Sequence, residues 1–151
     1  MDRALVVIDD TESHRQLLAE AAAFAQADGA DLVAFAWTTP EAAEERIDAL
    51  EWVEKVERTT YEETDPDAMT RQFAREFVDD VIGDDGDVRI ETVIAEDGDL
   101  DDAILSAADR LDCDHVFLVG RKRSPTGKAI FGDVAQRILL NFDGLVTVRM
   151  R

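Results

Sequence analysis

Apolar and polar positions alternate along this chain between short apolar runs and longer segments with helical spacing. Ala4-Leu5-Val6-Val7-Ile8 is an uninterrupted apolar run that ends at Asp9-Asp10-Thr11. A run without alternation suits a parallel strand buried on both faces. Residues 12–28 follow with Leu17, Leu18, Ala21, Ala22 and Ala25 on one side of a helix. Thr11 is the expected N-cap and Gly29 the expected stop. Residues 32–37 predict a second strand, closed by Thr38, Thr39 and Pro40. Residues 41–58 are acidic, with Ile47, Leu50 and Val53 at helical spacing, and 59–66 read as a loop. Asp67 is placed to cap a helix reaching Ile82, with Met69, Phe73, Phe77 and Val81 along its core face.

The second half repeats the scheme. Residues 88–95 alternate as a third strand, and Glu96-Asp97-Gly98-Asp99 turns the chain. Residues 100–111 are helical, with Ala103, Ile104, Ala107 and Leu111 inward. Residues 115–119 form the fourth strand and 145–148 the fifth. Between them 132–141 supply a helix through Val134, Ala135, Ile138 and Leu139. Strands alternating with helices imply parallel βαβ units. The expectation is therefore one α/β domain over residues 1–151, a three-layer sandwich around a five-stranded parallel sheet. Ligands of such sheets sit outside the carboxyl ends of the strands.

Composition sharpens this picture. The net charge is −19. Surface acids on that scale argue against nucleic acid and against acidic membranes as partners. They also repel one another unless salt screens them, over a Debye length of about 3 Å at 1 M. Abundant Asp with only three Lys points to a salt-rich cytoplasm. No apolar run approaches the roughly 20 residues that span a bilayer, and Met1-Asp2-Arg3 leads straight into a strand rather than a signal peptide. A cytoplasmic protein is expected. Cys113 is the single cysteine, so no internal disulfide forms, and it reads as a small packing residue.

The cations are not spread evenly. Residues 120–151 hold seven Lys/Arg against two Asp/Glu, whereas residues 1–119 hold nine against 33. Arg121, Lys122, Arg123 and Lys128 fall within eight positions with no acid among them. They sit in a Gly/Pro/Ser/Thr loop running from Gly120 through Gly127 to Gly132, between an apolar strand and a helix. Backbone N–H groups at a helix start, approached closely through glycine, favour bound anions. A solvated basic loop is the bland alternative. Thr126-Gly127-Lys128 resembles the end of a P-loop, but six residues separate Gly120 from Gly127, and Ala129 follows the Lys. A Walker site needs four residues and then Ser/Thr. No NTPase of that type is expected.

The strand ending at Ile8-Asp9, the turn with Gly98 and the run from Asp114 to Val148 together resemble the universal stress protein family. That family's pattern is Gly, two residues, Gly, nine residues, Gly and Ser/Thr, and Gly120 and Gly132 fill the first and third glycine places. The resemblance implies a five-stranded parallel fold of the adenine nucleotide alpha hydrolase-like type. It also implies a cytoplasmic homodimer formed through the last strand, Leu145 to Val148, and an ATP site, with no metal assigned. The site residues this implies are Asp9, Trp37 beside the adenine, Gly98, Gly120, Gly132, Asp133 and Val134, and the basic loop adds Arg121, Arg123, Gly127 and Lys128. The chain departs from the pattern at Arg123, which replaces the second glycine. Eight residues rather than nine separate it from Gly132, and Asp133 replaces the hydroxyl residue. A carboxylate beside a phosphate is repulsive unless a cation intervenes.

Catalytic constellations are not apparent. His14 and His115 are far apart, without a cysteine partner or metal-ligand spacing. Both are expected in surface or packing roles. Asp9-Asp10 is either a metal-holding pair or a pair of solvated turn acids. The sequence reads as that of a binding protein rather than an enzyme. A stress protein acting through protein partners without nucleotide is the alternative, and a nucleotide α-phosphate hydrolase is the third reading.

Overall fold

The computed structural model describes residues 1–45, 66–83, 87–121 and 133–151. Its elements are β1 (Arg3–Val7), α1 (Glu12–Asp28), β2 (Asp31–Thr38), α2 (Pro66–Ile82), β3 (Val88–Ile94), α3 (Leu100–Arg110), β4 (His115–Gly120), α4 (Asp133–Asn141) and β5 (Leu145–Met150). A 3-10 turn, Asp97–Asp99, leads into α3. Residues 40–45 are helical as expected, and the rest of the helix read over 41–58 lies outside the described residues, as does most of the expected loop over 59–66.

All five strands are parallel, in the order β3-β2-β1-β4-β5. The chain winds outward from β1 to one edge, then crosses back to β4 and the other edge. The switch point lies between β1 and β4. Helices cover both faces. On one face Ala4, Val6, Ile8, Ala34 and Phe117 pack beneath α1 and α2. On the other Leu5, Val7, Phe35, Val116 and Leu118 pack beneath α3 and α4. The unbroken apolar runs at β1, β2 and β4 are the consequence, since successive side chains enter opposite cores.

Local signals set the ends of α1. Thr11 stands in an extended conformation and its hydroxyl accepts the His14 N–H. Gly29 closes the helix at φ 65°, the left-handed region where a side chain is strained. In α2 the buried residues are Thr70, Ala74, Phe77 and Val78, while Met69, Phe73 and Val81 are half-buried. The stripe read from the sequence is therefore turned by about one residue, because α2 packs against both β3 and α1 and buries the row between them. In α4, Ala135 and Ile138 are buried but Leu139 is 40% exposed. This corrects the inward assignment of Leu139. A helix of nine residues over the sheet's margin has only a narrow stripe against it. β5 runs two residues past the predicted end, pairing Arg149 with Val119 and Met150 with Gly120.

His115 opens β4 at the end of the sheet away from the strands' carboxyl termini. It is buried, stacked on Phe117 with ring centroids 4.3 Å apart, and its Nε2 meets Thr147 Oγ1 at 2.8 Å. Its Nδ1 is buried with no hydrogen-bond partner among the described residues. Burial lowers its pKa below the ordinary 6.5, against the opposing pull of the Asp114 and Asp28 carboxylates and with the help of the N-terminal ammonium. The unfolded chain therefore binds the proton more readily than the folded one. Stability contributed by neutral His115 is complete above pH 6.5 and is lost as pH falls below that value. Denaturant midpoints are expected to fall between pH 7 and 5, before carboxylates titrate, and the fall should shrink in His115→Gln. An unchanged slope in that variant would remove His115 from the account.

Cys113 is buried, with its thiol pKa pushed up to about 11 by burial. It is an inert packing residue, as the sequence reading held.

Candidate functional site: a cleft at the switch point

The carboxyl ends of β1, β2 and β4 open into a cleft of about 790 Å³. Its floor is apolar: Val7 and Leu118 from the strands, Leu100 and Ile104 from α3, and Ala135 from α4. These residues belong to the core beneath α3 and α4, so the cleft is the exposed end of that core. A crossover in opposite directions at β1 and β4 leaves no helix over this point, which is why doubly wound sheets hold ligands here.

Polar groups ring the opening. Asp9 follows β1 and is exposed. Its carboxylate accepts the Asp10 N–H at 2.8 Å, and its carbonyl accepts the Thr11 N–H at 2.9 Å. Asp9 is thus held in the tight turn that starts α1. His14 lies in the first turn of that helix, with Nδ1 2.6 Å from the Thr11 hydroxyl. Burial lowers the His14 pKa, the Asp9 carboxylate opposes this, and the Arg151 and Arg121 guanidiniums reinforce it. Trp37, near the end of β2, is half-buried and presents an aromatic wall. Gly98, in the turn before α3, has open space where a Cβ would stand.

The remaining charges come from the second half of the chain. Arg121 is exposed immediately beyond β4, and Arg151 lies beyond β5, with its N–H donated to the Gly120 carbonyl at 3.1 Å. Arg137, on α4, donates from Nη1 to Asp101 Oδ2 at 2.7 Å. Asp101, in the first turn of α3, is only 4% exposed. Three guanidiniums and an imidazole therefore share the cleft with two carboxylates. Among the described residues no group of three or more His, Cys, Asp or Glu is arranged to hold a metal ion.

Of the residues singled out from the sequence, Asp9, Trp37, Gly98, Arg121 and Val134 line this one cleft. Gly120 has a different setting. It is buried at the end of β4, and a Cβ there would meet Val148 Cγ1 at 2.7 Å and Met150 Sδ at 3.1 Å. Its missing side chain makes room for β5. Asp133 opens α4, and its side chain lies outside the described set. Arg123, Gly127, Lys128 and Gly132 lie outside the described residues.

Asp101, Arg137 and Arg151 escaped the sequence reading, and His14 was assigned a surface or packing role. Asp101 is one of three acids among four consecutive residues, Asp99 to Asp102, and nothing in the sequence marks it as the buried one. Arg137 belongs to the cation-rich final stretch but stands apart from the loop. The sequence does place His14 in the first turn of the helix after β1, near the strands' carboxyl ends.

The fold and the cleft define a class: a doubly wound α/β protein of the adenine nucleotide alpha hydrolase-like type, with a ligand-sized cleft at its switch point. The universal stress protein family model matches residues 1–148, and the chain belongs to that family. Solved structures agree on the fold. A universal stress protein from Archaeoglobus fulgidus is 22% identical with a TM-score of 0.64, over 98% of this chain and 98% of that one. A universal stress protein in complex with cAMP is 16% identical with a TM-score of 0.63, over 99% and 96%. The universal stress protein from Archaeoglobus fulgidus in complex with dAMP is 14% identical with a TM-score of 0.59, over 98% and 97%. No curated protein sequence matches the chain.

Proposed function

We propose that this universal stress protein binds an adenine nucleotide, ATP or a related phosphate-bearing ligand, in the switch-point cleft. It acts on this reading as a cytoplasmic homodimer in a stress response. The observation that carries the reading is the charge of the cleft. In a chain of net charge −19, Arg121, Arg137 and Arg151 gather at one opening, against the two carboxylates Asp9 and Asp101. A cationic cleft in an acidic protein focuses anions toward it. The apolar floor and the face of Trp37 suit a planar base, and the cAMP and dAMP complexes of similar structures give the ligand class. Lys122, Arg123 and Lys128 follow Arg121 within seven positions of the sequence.

On this reading the role is binding rather than catalysis, and the hydroxyl bonded to the cleft imidazole, that of Thr11, caps α1. Among the described residues no helix is long and apolar enough to cross a membrane.

The test is calorimetric titration with ATP at fixed KCl. Wild type is expected to bind, and Trp37→Ala and Arg121→Ala each to weaken binding about tenfold, the scale of one charge-assisted contact or one stacked base. Absence of heat with ATP, AMP and cAMP alike would put the partner-binding reading ahead. Arg123 and Asp133 in the glycine motif favour that second reading, since they alter its phosphate geometry. Arg123→Gly with Asp133→Ser would then be expected to bind ATP where wild type does not.

A further inference from the structure

The nucleotide reading leaves open which groups in the cleft sense phosphate and what keeps them in place. The Asp101–Arg137 pair bears on both. Asp101 belongs to α3 and Arg137 to α4, so the bond crosses between the two helices that flank the cleft. Its two ends are unlike. The Asp101 side chain is 5% exposed, whereas that of Arg137 is 60% exposed. A buried carboxylate left without its partner is strongly destabilising, so Asp101 must keep a cation beside it. Arg137 is the only cation bonded to it among the described residues. The guanidinium is thereby fixed at one end. It carries five donors in a rigid fork, and the described bond to Asp101 uses one of its nitrogens. Arg137 lines the cleft, along with Arg121 and Arg151. A guanidinium whose position is already set loses little freedom on meeting an anion, which is the physical content of preorganisation.

We infer that Arg137 reads phosphate charge in this cleft and that Asp101 is the positioning residue that holds it there, so that the cleft selects ligands bearing an open phosphoryl or polyphosphate group over neutral nucleosides. This rests on the cleft being the ligand site but goes beyond the nucleotide reading, because it assigns the selection to residues outside the glycine motif. Arg–phosphate pairing is bidentate where geometry allows, and a neutral nucleoside gains nothing from it.

Asp101 has two opposed effects on a bound phosphate. Its charge repels the ligand, and its bond orients the residue that attracts it. The sign of the effect of Asp101→Asn decides which dominates. Titrations with ATP, inorganic tripolyphosphate and adenosine, all at one KCl concentration, would compare wild type with Arg137→Gln, Asp101→Asn and the double variant. Arg137→Gln is expected to weaken ATP and tripolyphosphate about tenfold and to leave adenosine unchanged. Asp101→Asn is expected to weaken both phosphate ligands severalfold although it removes a negative charge. The double variant should bind no more weakly than Arg137→Gln alone. Asp101→Glu keeps the charge but displaces the carboxylate by one methylene. It should also weaken ATP, which guards against a fold defect peculiar to the Asn variant.

Unchanged or tighter ATP binding in Asp101→Asn overturns the positioning role. Parallel loss of adenosine and ATP in the double variant, which leaves no buried charge unpaired, overturns the selection. Wild type that binds tripolyphosphate but not ATP sinks the nucleotide reading and leaves this inference standing. Wild type that binds neither sinks both.

Discussion

Val146→Pro is expected to convert the proposed dimer to a monomer while leaving the protomer folded. β5 is an edge strand, and the direction of its backbone is set by two bonds. Leu145 donates its N–H to the Asp114 carbonyl at 3.1 Å, and Arg151 donates to the Gly120 carbonyl at 3.1 Å. Residues of this parity face β4, so the N–H groups of Val146 and Val148 face the open edge. An open edge pairs readily with another strand. Leu145, the first residue of this strand, is 65% exposed. Proline at position 146 removes an outward donor and no bond to β4, the one setting in which strands tolerate it. Light scattering in molar KCl should therefore show the mass halved. The protein-concentration dependence of the melting temperature should vanish with it. A wild type that is already monomeric, or a Val146→Pro variant that stays dimeric, would end the proposal.

The second large effect is expected at Gly120. Adding one methyl group there places it 2.7 Å from Val148 Cγ1, inside the distance real carbon atoms adopt. The obstacle is a stiff β-branched side chain on a paired strand, so the strain has no easy outlet. Gly120→Ala should cost about 1–3 kcal/mol, typical of overpacking. Chemical denaturation measures it directly. Truncating the obstacle should restore part of the loss, so that Gly120→Ala with Val148→Ala shows a favourable coupling of about 1 kcal/mol or more. Nucleotide affinity of the rescued double variant should match wild type, since the added methyl meets β5 side chains and Gly120 is not among the residues lining the cleft. Lost binding with unchanged stability in Gly120→Ala would reverse the assignment and return this glycine to the phosphate site.

Gly120 shows what a glycine in a sequence can and cannot say. It marks a place where a side chain does not fit. Whether the neighbour is a ligand or the chain itself depends on register, here Gly120 opposite Met150. Arg137 and Asp101 make the same point for charge. They are 36 positions apart, and their 2.7 Å bond exists only because α3 and α4 pack side by side.

By itself the sequence determined the order and kind of the elements. Uninterrupted apolar runs such as residues 4–8 force strands buried on both faces, and the Thr11 and Gly29 caps delimit α1 to the residue. These features are local, because a hydrogen-bonding pattern and a burial period are written within a few residues of each other. The family pattern and the basic loop supplied the cleft's membership as far as Asp9, Trp37, Gly98, Arg121 and Val134. Only the tertiary structure decided which of the many acids is buried, which of the late arginines meets it, and that Gly120 serves β5. Those outcomes depend on the packing of segments distant in the chain, and in a sequence with 35 Asp and Glu no local signal separates a buried carboxylate from a solvated one.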